Sequence, residues 1–132
     1  MDDNAASLQK RFEAALDRLI PDFASGDQKL GLAVSGGPDS LALLLLAFRA
    51  CPDRIAAATV DHGLRPAGRA EAEFVGSLCR ERGIAHRILR PVVPIRGSIQ
   101  SAARRARYGL LHDWMKEEHI PWLATAHHAD DQ

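Results

Sequence analysis

The chain has 132 residues, 17 basic and 17 acidic side chains, a formal net charge of zero and 46% hydrophobic content. That length suits one domain able to bury roughly 65–70% of its unfolded surface, with the composition of an ordinary soluble globular protein. The acidic start Met1-Asp2-Asp3-Asn4, a longest apolar run of eight residues (Leu41–Phe48) and two cysteines 28 residues apart (Cys51, Cys79) disfavour a secreted, membrane-spanning or disulfide-built protein, and the neutral total disfavours one that coats nucleic acid; a cytoplasmic domain with no membrane partner is expected.

In chain order, Ala5 to Ile20 places Leu8, Phe12, Ala15, Leu16 and Leu19 at helical spacing and is stopped by Pro21. Lys29 to Val34 is a short apolar run ending in Ser35-Gly36-Gly37, a buried strand entering a tight loop. Leu41 to Ala50 follows as an apolar helix, and Ile55 to Val60 as a second strand. Ala67 to Arg82 is a helix with Phe74, Val75, Leu78 and Cys79 on one face, ended by Gly83. Ile84 to Leu89 is a weaker third strand. Ser98 is a plausible N-cap for a long helix reaching His119, and Pro121 to Thr125 is a fourth strand. No repeat, low-complexity tract or linker interrupts this order. Trp114, Trp122 and Tyr108 read as core, and the two cysteines as small buried hydrophobes.

Strands alternating with helices predict an α/β fold: a doubly wound parallel sheet with helices on both faces. Such sheets bind ligands beyond the carboxyl ends of their strands, where the strand order reverses. The polar clusters stand there: Ser35 to Ser40 after strand one, Asp61-His62-Gly63 after strand two and His127 to Asp131 after strand four. If strands one to three run outward and strand four returns beside strand one, the first and last clusters face each other.

The neutral total conceals an asymmetry. Between residues 80 and 107 stand eight arginines against Glu81 alone, and arginine outnumbers lysine fourteen to three overall. Arginine suits bidentate phosphate contacts, so this segment is either a solvated helix face or a local patch for phosphates or nucleic acid.

The loop after strand one carries the strongest signal. Gly36 and Gly37 permit a tight turn with uncovered amides, and Pro38 suits the first position of a helix. The amides of that first turn, with the helix dipole behind them, form an anion site to which the Ser35 and Ser40 hydroxyls can add. Neither a Walker Gly-Lys-Ser/Thr nor G-x-G-x-x-G is present. Asp39 beside a polyphosphate is repulsive unless a cation joins them, which points to Mg²⁺. The plain alternative is a Gly-Gly turn in which Asp39 is merely favoured in a first helical turn.

Ser35-Gly36-Gly37-Pro38-Asp39-Ser40 resembles the SGGxDS loop of the PP-loop (N-type) ATP pyrophosphatases, which cleave ATP between the α- and β-phosphates to adenylate a substrate. Four further segments are similar to the tRNA(Ile)-lysidine synthetase branch of that family: Val60-Asp61-His62-Gly63-Leu64-Arg65, Ile99-Gln100-x-x-Ala103-Arg104-x-x-Arg107-Tyr108, Thr125-Ala126-His127-His128 and Ala129-Asp130-Asp131-Gln132. The loop alone specifies the superfamily; the ordered series is more specific. The resemblance implies an adenine nucleotide alpha hydrolase-like fold over residues 29–132, preceded by a lead-in helix over 1–28. It implies ATP and Mg²⁺ as cofactors, and tRNA(Ile) with a CAU anticodon and L-lysine as partners. C2 of the wobble cytidine is adenylated, and lysine displaces AMP to form lysidine.

Carried onto these positions, Ser35, Gly36, Gly37, Pro38, Asp39, Ser40 and His62 would bind the nucleotide. Arg104, Arg107, His127 and Asp131 would serve the chemistry, and Asp39 and Asp131 the metal. Arg104 and Arg107 lie three apart on one helical face and His127 and Asp131 four apart; an exposed arginine face, a helix-capping Asp and a buried histidine are the plain alternatives. Asp61 and His62 would line the adenine pocket or form a simple turn. Ser98 stands where the family usually has Asn. The cysteine spacing argues against the related tRNA thiolases, which use paired cysteines. Because the sequence stops within the last motif, a C-terminally truncated ATP-binding portion is expected, with weak nucleotide binding and no lysidine formation by these 132 residues alone. Another PP-loop thiolase or amidotransferase, or a nucleotide-binding module without catalysis, remains the alternative.

Overall fold

The computed structural model describes residues 3–63, 66–92 and 99–126. Among them the elements run α1 (Asp3–Leu19), β1 (Leu30–Ala33), α2 (Pro38–Ala50), β2 (Ile55–Val60), α3 (Pro66–Glu81), β3 (Ala85–Leu89), α4 (Ile99–Glu118) and β4 (Trp122–Thr125). Each expected element is present, within three residues of its expected bounds. The four strands form one parallel sheet in the order β3-β2-β1-β4. In register, Leu30 stands between Ile55 and Trp122, and Ala33 between Ala58 and Thr125.

Two cores follow from the alternation of side chains along each strand. Leu30, Leu32, Val34, Ile55 and Ala57 face one side, where Leu44 and Ala47 of α2 and Val75 and Cys79 of α3 pack on them, with Phe12 and Leu16 of α1 at the margin. Ala33, Ala56 and Ala58 face the other side and meet Leu111 and Trp114 of α4. The chain steps outward from β1 to β3, with α2 and α3 on one face. It then reverses to β4, and a constant crossover handedness puts α4 on the opposite face.

The centre of the α4 face, at Gly31, Ala33, Ala56 and Ala58, is built from small residues so that a large one can approach, while Val60, Leu89 and Leu123 flank it. A Cβ placed on Gly31 would come within 3.2 Å of the Trp114 ring and 3.0 Å of Ile120. Trp122 meets Phe23 edge-on, with centroids 5.7 Å apart. Arg54 stacks over the Phe23 ring at 3.9 Å and donates hydrogen bonds to the Phe23 and Gln28 carbonyls, which ties the α1–β1 connection to the start of β2.

Three residues depart from the expected packing, Cys51 being only part-buried at the margin of the first core. Phe74 is 52% exposed and α3 instead buries Ala72, Val75, Gly76 and Cys79. It lies next to Val75, about 100° away around the helix, so the apolar stripe passes it by. Tyr108 is 41% exposed, on α4 beside Arg107, and is not core. Ser98 lies outside the described residues. Among the described residues no helix is long and apolar enough to cross a membrane.

Candidate nucleotide site

The strand order reverses between β1 and β4, and the site opens at their carboxyl ends. β1 delivers the chain into Ser35-Gly36-Gly37, and α2 begins at Pro38 with Gly37 as an N-cap in extended conformation (φ −71°, ψ 158°). No side chain caps Gly37, while Pro38 and the first-turn Asp39 follow. The loop is held from within. The Ser40 hydroxyl, in a residue only 7% exposed, accepts the Ser35 amide at 2.7 Å, and the Ser35 hydroxyl accepts the Gly37 amide at 3.3 Å. The serines expected to reach a ligand thus shape the loop first.

Above this loop lies a cavity of about 330 Å³, near the lower end of the range for small-ligand sites. Ser35, Gly37, Pro38, Asp39 and Ser40 line it from β1 and α2, Asp61 and His62 from the end of β2, Arg107 from α4 and Ala126 from the end of β4. Two of the three expected polar clusters, together with Arg107 of the arginine-rich segment, therefore converge on one concavity. Gly36 does not line it, because Glu71 of α3 accepts the Gly36 amide at 2.6 Å and covers it. Arg104 is exposed and is not among the lining residues, one turn away from Arg107. His127 and Asp131 lie outside the described residues.

The loop after β2 is pinned by a buried carboxylate. Asp61, 4% exposed, accepts the Gly63 amide at 3.0 Å and pairs with Arg90 Nε at 3.2 Å. Gly63 has φ +74°, a region that favours glycine. Its neighbour His62 carries a buried Nδ1 with no hydrogen-bond partner among the described residues. Burial, then the nearby Arg107 guanidinium, push the His62 pKa down, and Asp61 opposes them. A neutral imidazole with an open ring nitrogen can accept or donate one hydrogen bond to a heterocycle.

Glu71 and Arg90 escaped the sequence reading. Glu71 is 35 residues from Gly36 and Arg90 is 29 from Asp61, and neither separation has a period or motif. The available signal was topological: adjacent parallel strands bring their carboxyl-end loops together. Among the described residues no group of three or more His, Cys, Asp or Glu side chains is arranged to hold a metal ion. Asp39, which lines the cavity together with the carboxylates of Asp61 and Glu71, suits a hard cation that takes one or two carboxylates, water and ligand phosphates.

Residues 8–132 match the model of the PP-loop domain family. The chain is 48% identical over 123 residues to the tRNA(Ile)-lysidine synthase of Zymomonas mobilis, covering 92% of this chain and 36% of that protein. It is 45% identical over 130 residues to the synthase of Novosphingobium aromaticivorans, covering 98% and 38%. The chain thus spans little more than a third of the length of these curated relatives. Among solved structures it is similar to the U34-tRNA thiolase NcsA of Methanococcus maripaludis, with a TM-score of 0.77 at 21% identity, covering 98% of this chain and 48% of that one. The NH3-dependent NAD synthetase of Campylobacter jejuni gives 0.65 at 20% identity, covering 91% and 55%. These two likenesses speak for the fold alone.

Proposed function

The chain belongs to the PP-loop family, and on that premise we propose that it forms the ATP-binding part of a tRNA-modifying ligase that adenylates the wobble cytidine of tRNA(Ile) and replaces AMP by lysine. The observation that carries this reading is the convergence of the Ser35–Ser40 loop, His62 and Arg107 on one cavity at the strand-order reversal. The names of the relatives that share 45–48% of its residues agree with it.

In this reading the loop amides and the α2 dipole hold the pyrophosphate end of ATP. Arg107 stands where it can neutralise charge growing on the α-phosphate, a role suited to its fixed positive fork. The buried edge of His62 meets the adenine. Asp39 would hold Mg²⁺, which when bound supplies Lewis-acid stabilisation of the polyphosphate charge. His127 and Asp131 would complete the catalytic and metal sets from the segment after β4. Arg104, exposed beside Arg105, would serve the RNA backbone rather than the nucleotide.

The test is product identity. The whole ligase that contains this chain is incubated with a CAU-anticodon tRNA(Ile) transcript, L-lysine and Mg-ATP, and the tRNA nucleosides are separated by mass spectrometry. Lysidine is expected. Sulfur or ammonia incorporation that ignores lysine would assign the site to a thiolase or amidotransferase instead, and nucleotide binding with no modified product would assign it to a module without catalysis.

A further inference from the structure

The Gly36 amide, one of the donors that the loop would offer a phosphate, is already engaged. Glu71 Oε1 accepts it at 2.6 Å, and a Cβ on Gly36 would fall inside the Glu71 side chain. Glu71 is exposed, yet it lines the same cavity as Ser35, Gly37, Asp39 and Ser40. A carboxylate on this amide has the charge and the acceptor oxygens of the group that the loop is suited to bind.

We propose that Glu71 is an internal competitor for the phosphate seat: its carboxylate occupies the Gly36 amide in the empty protein and is displaced by the incoming polyphosphate. This rests on the reading of the loop as a phosphate site. The physical consequence is selectivity. An anion arriving without a cation must break the Glu71–Gly36 bond and then lie near the displaced Glu71 carboxylate, a like charge. A polyphosphate already carrying a cation meets an attraction instead. Glu71 is therefore a specificity-determining residue that disfavours bare phosphate and pyrophosphate. Its flexible, solvated side chain can swing clear, since α3 holds only its backbone.

The experiment uses inorganic pyrophosphate with a chelator present, titrated calorimetrically into the protein, Glu71→Gln and Glu71→Ala. Removing the charge is expected to tighten metal-free pyrophosphate binding by about tenfold, the scale of one charge-assisted hydrogen bond exchanged at an exposed site. In the ligand-free protein the Gly36 amide proton is expected to move upfield in Glu71→Ala, read by ¹⁵N-edited NMR. Unchanged or weaker pyrophosphate binding in both variants would overturn the proposal and make Glu71 a clip that orders the loop. A Gly36 resonance indifferent to Glu71→Ala would overturn it also. Failure of all three proteins to bind either pyrophosphate or Mg-ATP would overturn the phosphate-site reading itself, and this proposal with it.

Discussion

At Ser40 a single hydroxyl sets the geometry of the loop, because its oxygen accepts the Ser35 amide across the turn at 2.7 Å. Ser40→Ala leaves that amide without its acceptor, a loss of about 1 kcal/mol for a part-buried donor. The expected outcome is a lower urea midpoint together with weaker Mg-ATP binding, the second effect exceeding the first because the loop loses its shape. Unchanged stability and unchanged affinity would remove Ser40 from the account. At this scale the sequence was readable where the residues are contiguous: Ser35 to Ser40 and Asp61-His62 are local clusters beside strand ends. It was unreadable for Glu71 and Arg90, whose partners lie on other elements. Phe74 and Tyr108 were misread for a related reason: an aromatic ring signals burial only when its helical angle points inward, and neither does.

At the scale of elements, the two faces of the sheet solve different packing problems. β1 presents Leu30 and Leu32 to α2, with Val34 just beyond its end, but Gly31 and Ala33 to α4, so the bulk at the centre of the second face comes from Trp114 and Leu111. Gly31→Ala should force Trp114 or Ile120 to shift, costing about 1–3 kcal/mol by overpacking. Chemical denaturation measures this, and Trp114→Leu in the same chain should recover part of it. A neutral Gly31→Ala would mean that α4 does not press on β1 as described. The 2-versus-3.6 periodicity made the elements themselves legible, since each runs long enough to show its period. Their ends were set within three residues because Pro21, Pro52 and Gly83 punctuate them. The small-residue face was not legible, because Gly31 and the alanines of β2 look unremarkable until the ring that fills the space above them is known.

Across the whole molecule the neutral charge divides into a sheet-and-loop end that carries Asp39, Asp61 and Glu71 and an arginine-rich stretch through β3 and α4. Arg90 and Arg107 bring that stretch to the site, the first through Asp61 and the second at the cavity wall. The same organisation predicts a dependence of stability on pH. Burial pushes the pKa values of both His62 and His86 down, with Arg107 and Arg80 adding to the effect. His86 bonds Thr59 at 2.9 Å across β2 and β3. The unfolded chain, with histidines near pKa 6.5, then binds more protons than the folded one just below that pH. Stability is therefore complete above about pH 6.5 and falls as the pH drops through the depressed folded values. Thermal midpoints at about pH 7.5 and pH 6 should show this loss, and a His62→Asn/His86→Gln double variant should flatten it. A parent curve flat across that window would contradict the burial of the two rings. The strand order β3-β2-β1-β4 matches the outward run of strands one to three and the return of strand four beside strand one that topology rules allowed, and it brings the loops after β1 and β4 together.

In the proposed ligase the Ser35–Ser40 loop serves the cleavage of ATP between its α- and β-phosphates. That role is tested most directly by supplying the whole ligase that contains this chain with ATP labelled at the α-phosphorus, tRNA(Ile), lysine and Mg²⁺, and separating the labelled nucleotides. Labelled AMP is expected, formed only when the tRNA is present and reduced at least about tenfold by Asp39→Asn, the scale of one lost transition-state electrostatic contact. Labelled ADP, or AMP release indifferent to both the tRNA and Asp39, would contradict it.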